Sequence, residues 1–246
     1  MSAPRADRAT IFGLNAETYE RWRPTYPDEA VDWLVPAGAS VVADLGAGTG
    51  KLTGALLARG LRVEAVEPDV RMLDVLRRVH PSARVHNAGA EELPLADACV
   101  DAVFAADAWH WFPFDSAVAQ ARRVLRPGGW LGLMWSMASP IEPWEKELAA
   151  LDPSYAPQPE EATGGETPFP ADETETATFR WTWRRTPDAW CSYLETLSAF
   201  VLMPEPERRE RLREAHALVS GACRAVGPAT AGIHHEVFCL RWRPAP

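Results

Sequence analysis

Short runs of continuous apolar residues alternate along the first half of the chain with segments of helical spacing. Residues 41–45 form the first such run, and 61–66, 83–87, 100–106 and 130–137 repeat it. Runs this short and this apolar read as strands buried on both faces. Between them the spacing predicts helices over 51–59, stopped by Gly60, and over 70–79, opened by Asp69 as N-cap, with Met72, Leu73, Leu76 and Val79 on one face. A third helix, capped by Asp115, runs to Leu125, and the turn Arg126-Pro127-Gly128-Gly129 leads into the fifth run. Such alternation predicts right-handed βαβ units and one parallel sheet.

The flanks differ. Residues 15–23 and 28–35 have helical spacing ahead of the first strand, and Tyr19, Trp22, Tyr26 and Trp33 give them apolar surface to pack. Residues 139–170 carry seven prolines and Gly164-Gly165, which predicts an insertion or lid with a mobile middle. Beyond it, 178–184 alternates with period two and 187–203 reads as one helix. Residues 205–226 form another, with Leu212, Ala215, Val219 and Cys223 inward. Residues 233–243 alternate again, with Phe238, Leu240 and Trp242 on one side. The last two strands are expected to pair antiparallel at the sheet edge, leaving His234 and His235 exposed. The reading is a single domain over 1–246, with a helical cap over 1–39 and a lid over 138–172.

Composition narrows the function classes. With 47% hydrophobic and 24% charged residues, the 246-residue chain is ordinary for a globular protein. A net charge of -9 argues against nonspecific binding to nucleic acid or to an anionic membrane. No run approaches the ~20 apolar residues of a membrane span, and the N-terminal residues lack a signal-peptide core. Cys99, Cys191, Cys223 and Cys239 stand singly, as reduced thiols would. A cytoplasmic protein, monomeric or homodimeric, is expected. Nothing has the spacing of a metal site.

The candidate chemistry starts at Asp44-Leu45-Gly46-Ala47-Gly48-Thr49-Gly50. A strand stopping in glycines at alternate positions brings backbone N–H groups close to a ligand. The spacing differs from the G-x-G-x-x-G of dinucleotide sites, and its closer third glycine leaves room for an aminoacyl–thioether arm. Glu67, at the end of the second strand, follows Gly46 by about the interval of a ribose-binding acid.

The order of these elements resembles class I S-adenosylmethionine-dependent methyltransferases of the small-molecule branch, near the UbiE-like and trans-aconitate methyltransferase-like enzymes. The resemblance rests on the glycine turn, Val66-Glu67-Pro68, Ala90-Glu91-Glu92-Leu93-Pro94, Val124 to Gly129, Tyr19 with Arg23-Pro24, and Trp109-His110-Trp111-Phe112. It implies a Rossmann-like α/β fold of seven strands, the last two antiparallel, and S-adenosyl-L-methionine as cofactor with S-adenosylhomocysteine as product. It also implies that Gly46 and Gly48 face the methionyl arm and ribose, that Asp44 organises the amino group directly or through water, that Glu67 holds the ribose hydroxyls, and that Ala106 belongs to the same cofactor site. Pro68, Met72, Ala90 and Glu91 would surround the adenine, with Tyr19 and Arg23 over the methionyl carboxylate.

The acceptor is expected to be a small aromatic or polycyclic metabolite, methylated on O, N or C. His110, just past the fourth strand where open α/β sheets bind ligands, is the expected base, because imidazole titrates near neutrality. Trp109 and Trp111 are expected to flank it, and Trp144, Trp190, Tyr193 and Phe200 to roof the acceptor. Two other classes stay open: a related fold that keeps the cofactor for a non-methylating reaction such as a cyclisation, and a cofactor-binding partner without catalysis.

Overall fold

The computed structural model describes residues 13, 15–153, 169–226 and 229–244. The predicted runs become β1 (Val41–Leu45), β2 (Arg62–Val66), β3 (Arg84–His86), β4 (Val100–Ala106) and β5 (Leu125–Ala138), followed by β6 (Thr174–Arg185) and β7 (Ala231–Trp242). They form one sheet in the order β3-β2-β1-β4-β5-β7-β6. β1 to β5 pair in parallel, and β7 runs antiparallel to both β5 and β6. This is the Rossmann-like arrangement that the resemblance implies. β7 is therefore an interior strand, and β6 alone forms that edge. The expected antiparallel pair at this end of the sheet is thus formed, with β6 outermost.

Helices α1 (Ala16–Trp22), α2 (Asp28–Leu34), α3 (Lys51–Leu57), α4 (Val70–Val79) and α5 (Phe114–Val124) flank the parallel strands. Asp69 caps α4 by accepting from the Arg71 N–H at 2.9 Å, as its sequence position predicts. The buried face of α4 is Met72, Leu73, Val75 and Leu76; Val79, in the last turn, is exposed instead. α5 starts one residue before Asp115, because Pro113, with its φ fixed at -67°, takes the N-cap position. Asp115 sits in the first turn, where its charge still favours the helix dipole. The Arg126–Gly129 turn is a bulge inside β5: Leu125 faces Val100, and Trp130 is already opposite Ala102.

The C-terminal elements are α6 (Pro143–Ala149), α7 (Pro187–Leu194), α8 (Ser198–Leu202) and α9 (Glu205–Val226). The helix expected over 187–203 is two helices. Thr196 turns its hydroxyl back to the Tyr193 carbonyl at 2.6 Å, and Arg23 Nη2 donates to the Thr196 carbonyl at 3.0 Å. Both bonds hold the chain in a turn between the helices. The described part of the lid, α6, packs with α7, α9 and β7 around Leu148, Trp183, Trp190, Phe200, Ala215 and Val219. The lid's middle, residues 154–168, lies outside the described residues. Among the described residues no helix is long and apolar enough to cross a membrane.

Two larger clusters fill the faces of the sheet. One gathers Leu45, Val103, Leu131 and Trp242 with α5, and the other gathers Val42, Ala65, Phe104 and Met134 with α2 and α3. Both faces of the central strands are thus buried, as their continuous apolar runs require. The sheet offers a ligand its strand ends rather than its faces.

Candidate active site

The register brings the strand ends to one level. Leu45 pairs with Val66, Asp44 with Phe104, and Ala106 with Met134, so Gly46, Glu67 and Asp107 leave the sheet side by side. Strand order reverses between β1 and β4, the place where open α/β sheets bind ligands. A cavity of about 330 Å³ lies there. At β1 and β2 its walls are Gly46, Gly48, Lys51, Glu67, Pro68 and Met72, and Tyr19, Arg23, Pro24 and Tyr26 come from the N-terminal helical cap. At β4 and β5 they are Ala106 to Ala108, His110, Trp111, Phe112, Ser136 and Ala138. Tyr193, Leu197, Ser198 and His235 close the far end.

Glu67 is buried and tied to the turn it serves. Its carboxylate accepts from the Gly48 N–H at 3.0 Å and from the Asp69 N–H at 2.9 Å, one bond per oxygen. Burial pushes its pKa up, and these two backbone bonds oppose the shift. Each oxygen keeps a lone pair for a further donor. Gly48 has φ +57°, and a Cβ there would meet nothing within 4 Å, so the turn presents bare backbone. Gly46, at φ +64°, is fixed by crowding: a Cβ would lie 2.7 Å from that of Ala108.

Arg23 stacks over Tyr19 at 5.0 Å and over Tyr193 at 5.6 Å, joining the cap to α7 across the cavity. Burial raises the pKa of both tyrosines, so they remain neutral phenols. Asp107 accepts from the Tyr26 hydroxyl on Oδ2 and from the Ser136 N–H on Oδ1, each at 2.9 Å.

Of the residues expected at the site, Tyr19, Arg23, Gly46, Gly48, Glu67, Pro68, Met72, Ala106, His110, Trp111 and Tyr193 line this cavity. Others do not. Asp44 is buried below the turn, accepting from Thr53 Oγ1 at 2.6 Å, and burial lifts its pKa to about 7. Ala90 belongs to the core cluster and Glu91 is exposed, so neither reaches the wall. Trp109 turns into the core against Phe112, Phe114 and Phe169, because successive residues of a tight turn point in different directions. Of the two expected indoles, Trp111 flanks His110, at 4.7 Å between rings, and His110 is exposed at the cavity rim rather than enclosed between the pair.

Trp190 and Phe200 are likewise core residues, packed in the cluster under α9, and Trp144 lies partly buried against the same cluster. His235 reverses its expected exposure. It is 4% exposed, sits among Trp181, Trp183 and Trp190, and burial drives its pKa down to about 4, which keeps it neutral. Sequence reasoning missed Asp107, Ser136, Leu197, Ser198 and His235. An acid at the first position past a predicted strand, three residues before His110, was a usable sign for Asp107. The others depend on pairing between β5 and β7 and on the break after α7, which no local pattern reveals.

Comparison with known proteins agrees with this arrangement. Residues 43–133 match the family model described as a methyltransferase domain. The chain is 41% identical over 242 residues to an uncharacterized methyltransferase of Mycobacterium tuberculosis, covering 98% of each protein. A solved structure from Anaeromyxobacter dehalogenans, provisionally described as a type II methyltransferase, superposes with a TM-score of 0.68 at 28% identity, covering 89% of this chain and 96% of that one. Geranyl diphosphate C-methyltransferase from Streptomyces coelicolor, solved with S-adenosyl-L-homocysteine, shares the fold at a TM-score of 0.51 and 15% identity over 99% of both chains. These likenesses reach the class and do not single out a UbiE-like branch within it.

Proposed function

Since the chain belongs to the class I S-adenosylmethionine-dependent methyltransferases, we propose that it methylates an oxygen, nitrogen or carbon nucleophile of a small aromatic metabolite bound beside the cofactor in this cavity. The observation that carries the reading is the alignment of Glu67, the bare glycine turn and Asp107 along three adjacent strand ends in one cavity.

The residues present fit the cofactor. Glu67 has lone pairs for two ribose hydroxyls, and Gly48 lets a ligand approach the backbone. Pro68 and Met72 offer apolar surface to the adenine, and Arg23, stacked on two tyrosines, suits the methionyl carboxylate. Tyr19, Tyr26, Trp111 and Phe112 surround the transfer end with aromatic rings, which favour a cation. When bound, S-adenosyl-L-methionine supplies an electrophilic methyl group on a sulfonium, and its product is S-adenosylhomocysteine.

The protein's own work is to hold the acceptor in line with that methyl and to keep water out, so positioning contributes much of the rate. Tyr193, Leu197, Ser198, Ser136 and His235 wall the space left for the acceptor. His110, at the rim, takes the proton of an O–H or N–H acceptor and passes it to solvent.

Titration calorimetry with S-adenosylhomocysteine tests the cofactor assignment. Wild type should bind it, and Glu67→Ala should weaken binding about 10- to 150-fold, the ~1.5–3 kcal/mol of hydrogen bonds to a charged group. An unchanged affinity in the variant would remove Glu67 from the site.

A further inference from the structure

Asp107 differs from every other acid on the cavity wall. Its backbone has φ +51°, the left-handed region that few residues other than glycine occupy. A strained backbone of this kind persists where the surroundings enforce it, and it clusters at functional sites. Here the Asp107 N–H donates to the Met134 carbonyl at 2.9 Å, and the carboxylate is pinned by the Tyr26 hydroxyl and the Ser136 N–H. The result is a carboxylate aimed at the cavity from the end of β4, two strands away from Glu67. At ~4.8 Å per strand that is about 10 Å across the sheet. S-adenosylmethionine held by its ribose on Glu67 would carry its sulfonium, bonded to the ribose C5′, into the span between Glu67 and Asp107.

We propose that Asp107 is the anion of the methyl-transfer end: it favours positive charge there, and so commits the enzyme to acceptors that are uncharged nucleophiles. The proposal rests on the cofactor reading above. As the methyl moves, the acceptor atom's lone pair forms the new bond to carbon. The sulfur–methyl bond breaks with its pair on sulfur, and the positive charge passes to the acceptor until its proton leaves. A fixed carboxylate beside that path faces a cation before and after the transfer. An acceptor that arrives as a carboxylate or phosphate would be repelled at the same point.

The cavity's cations are Arg23 and Lys51, and Lys51 Nζ is 3.0 Å from Glu20 Oε1. Burial pushes the pKa of the Asp107 carboxyl up, and the charge of Arg23, which stacks over Tyr193, favours the ionised form against it. Ser136, Ser198 and His235, which burial keeps neutral, add no positive charge there.

The test compares three ligands by titration calorimetry: S-adenosylmethionine and sinefungin, which are positively charged at the transfer position, and S-adenosylhomocysteine, which is neutral there. An opposite charge within about 4–6 Å moves a charge equilibrium by at least tenfold. Wild type should therefore bind the two cationic ligands about 10-fold more tightly than the neutral one. Asp107→Asn should bring the three within about twofold of one another, the cationic pair losing affinity relative to S-adenosylhomocysteine; asparagine tolerates the left-handed backbone. Tyr26→Phe, which removes the hydroxyl and keeps the charge, should retain the preference. Equal binding of all three by wild type, or a preference that survives in Asp107→Asn, overturns the proposal alone. Wild type that binds none of them overturns the cofactor reading as well.

Discussion

Replacing His110 with alanine is expected to lower kcat by about 10²–10⁴, the range for a positioned acid–base group. The 3₁₀ turn Trp109–Trp111 follows β4 after Asp107 and Ala108, and its form is fixed by the Trp111 N–H on the Ala108 carbonyl and the Phe112 N–H on the Trp109 carbonyl. Trp109 anchors the turn in the core, which places His110 on the cavity rim with Trp111 beside it. From there an imidazole can take the acceptor's proton and release it to water. Because His110 is exposed and its ring lies against Trp111 at the rim, truncating it leaves the buried core and the Glu67 end in place. S-adenosylhomocysteine affinity and the urea midpoint should therefore remain at wild-type values. Near-normal kcat from pH 6 to 9, with an acceptor that wild type methylates, would show that positioning alone carries the rate.

Trp190→Ala should fail in the opposite way, by unfolding the protein rather than by slowing it. Trp190 is 1% exposed and meets Trp183 and Tyr193 edge to face, with centroids at 4.8 and 5.5 Å. Its indole N–H points to the Ala231 carbonyl at 3.5 Å, a weak bond that adds little to the packing. A buried tryptophan cut to alanine costs about 3–5 kcal/mol, from lost transfer energy and the cavity left behind. Urea unfolding should show that loss, while the fraction still folded binds S-adenosylhomocysteine within about threefold of wild type. A change below about 1 kcal/mol, combined with a raised acceptor KM, would return Trp190 to the acceptor pocket.

These two residues also show how far the sequence could be read. Local patterns carried the βαβ half. Continuous apolar runs made strands, Asp69 made its cap, and the glycine turn with Glu67 fell at adjacent strand ends because parallel pairing aligns them. The aromatic residues were harder to place. Trp109, Trp144, Trp190 and Phe200 are all large, and size does not say whether a side chain faces a cavity or fills a core. Burial decided in favour of the core for each of them except Trp144, which is only partly buried against the same cluster. His235 went the other way, since its environment depends on β7 lying between β5 and β6, a pairing set by long-range contacts. Asp107 was legible in position and illegible in conformation: nothing local announces a positive φ at an aspartate.

Whether this cavity moves a methyl group is settled by incubating the purified protein with S-adenosylmethionine labelled in its methyl carbon and a panel of small phenols, amines and carboxylic acids, read by mass spectrometry. A labelled methyl is expected on a phenol or an amine, with one S-adenosylhomocysteine formed for each. An acceptor transformed without gaining the label, and without S-adenosylhomocysteine, would contradict it and leave the cofactor a structural or electrostatic part of a different reaction.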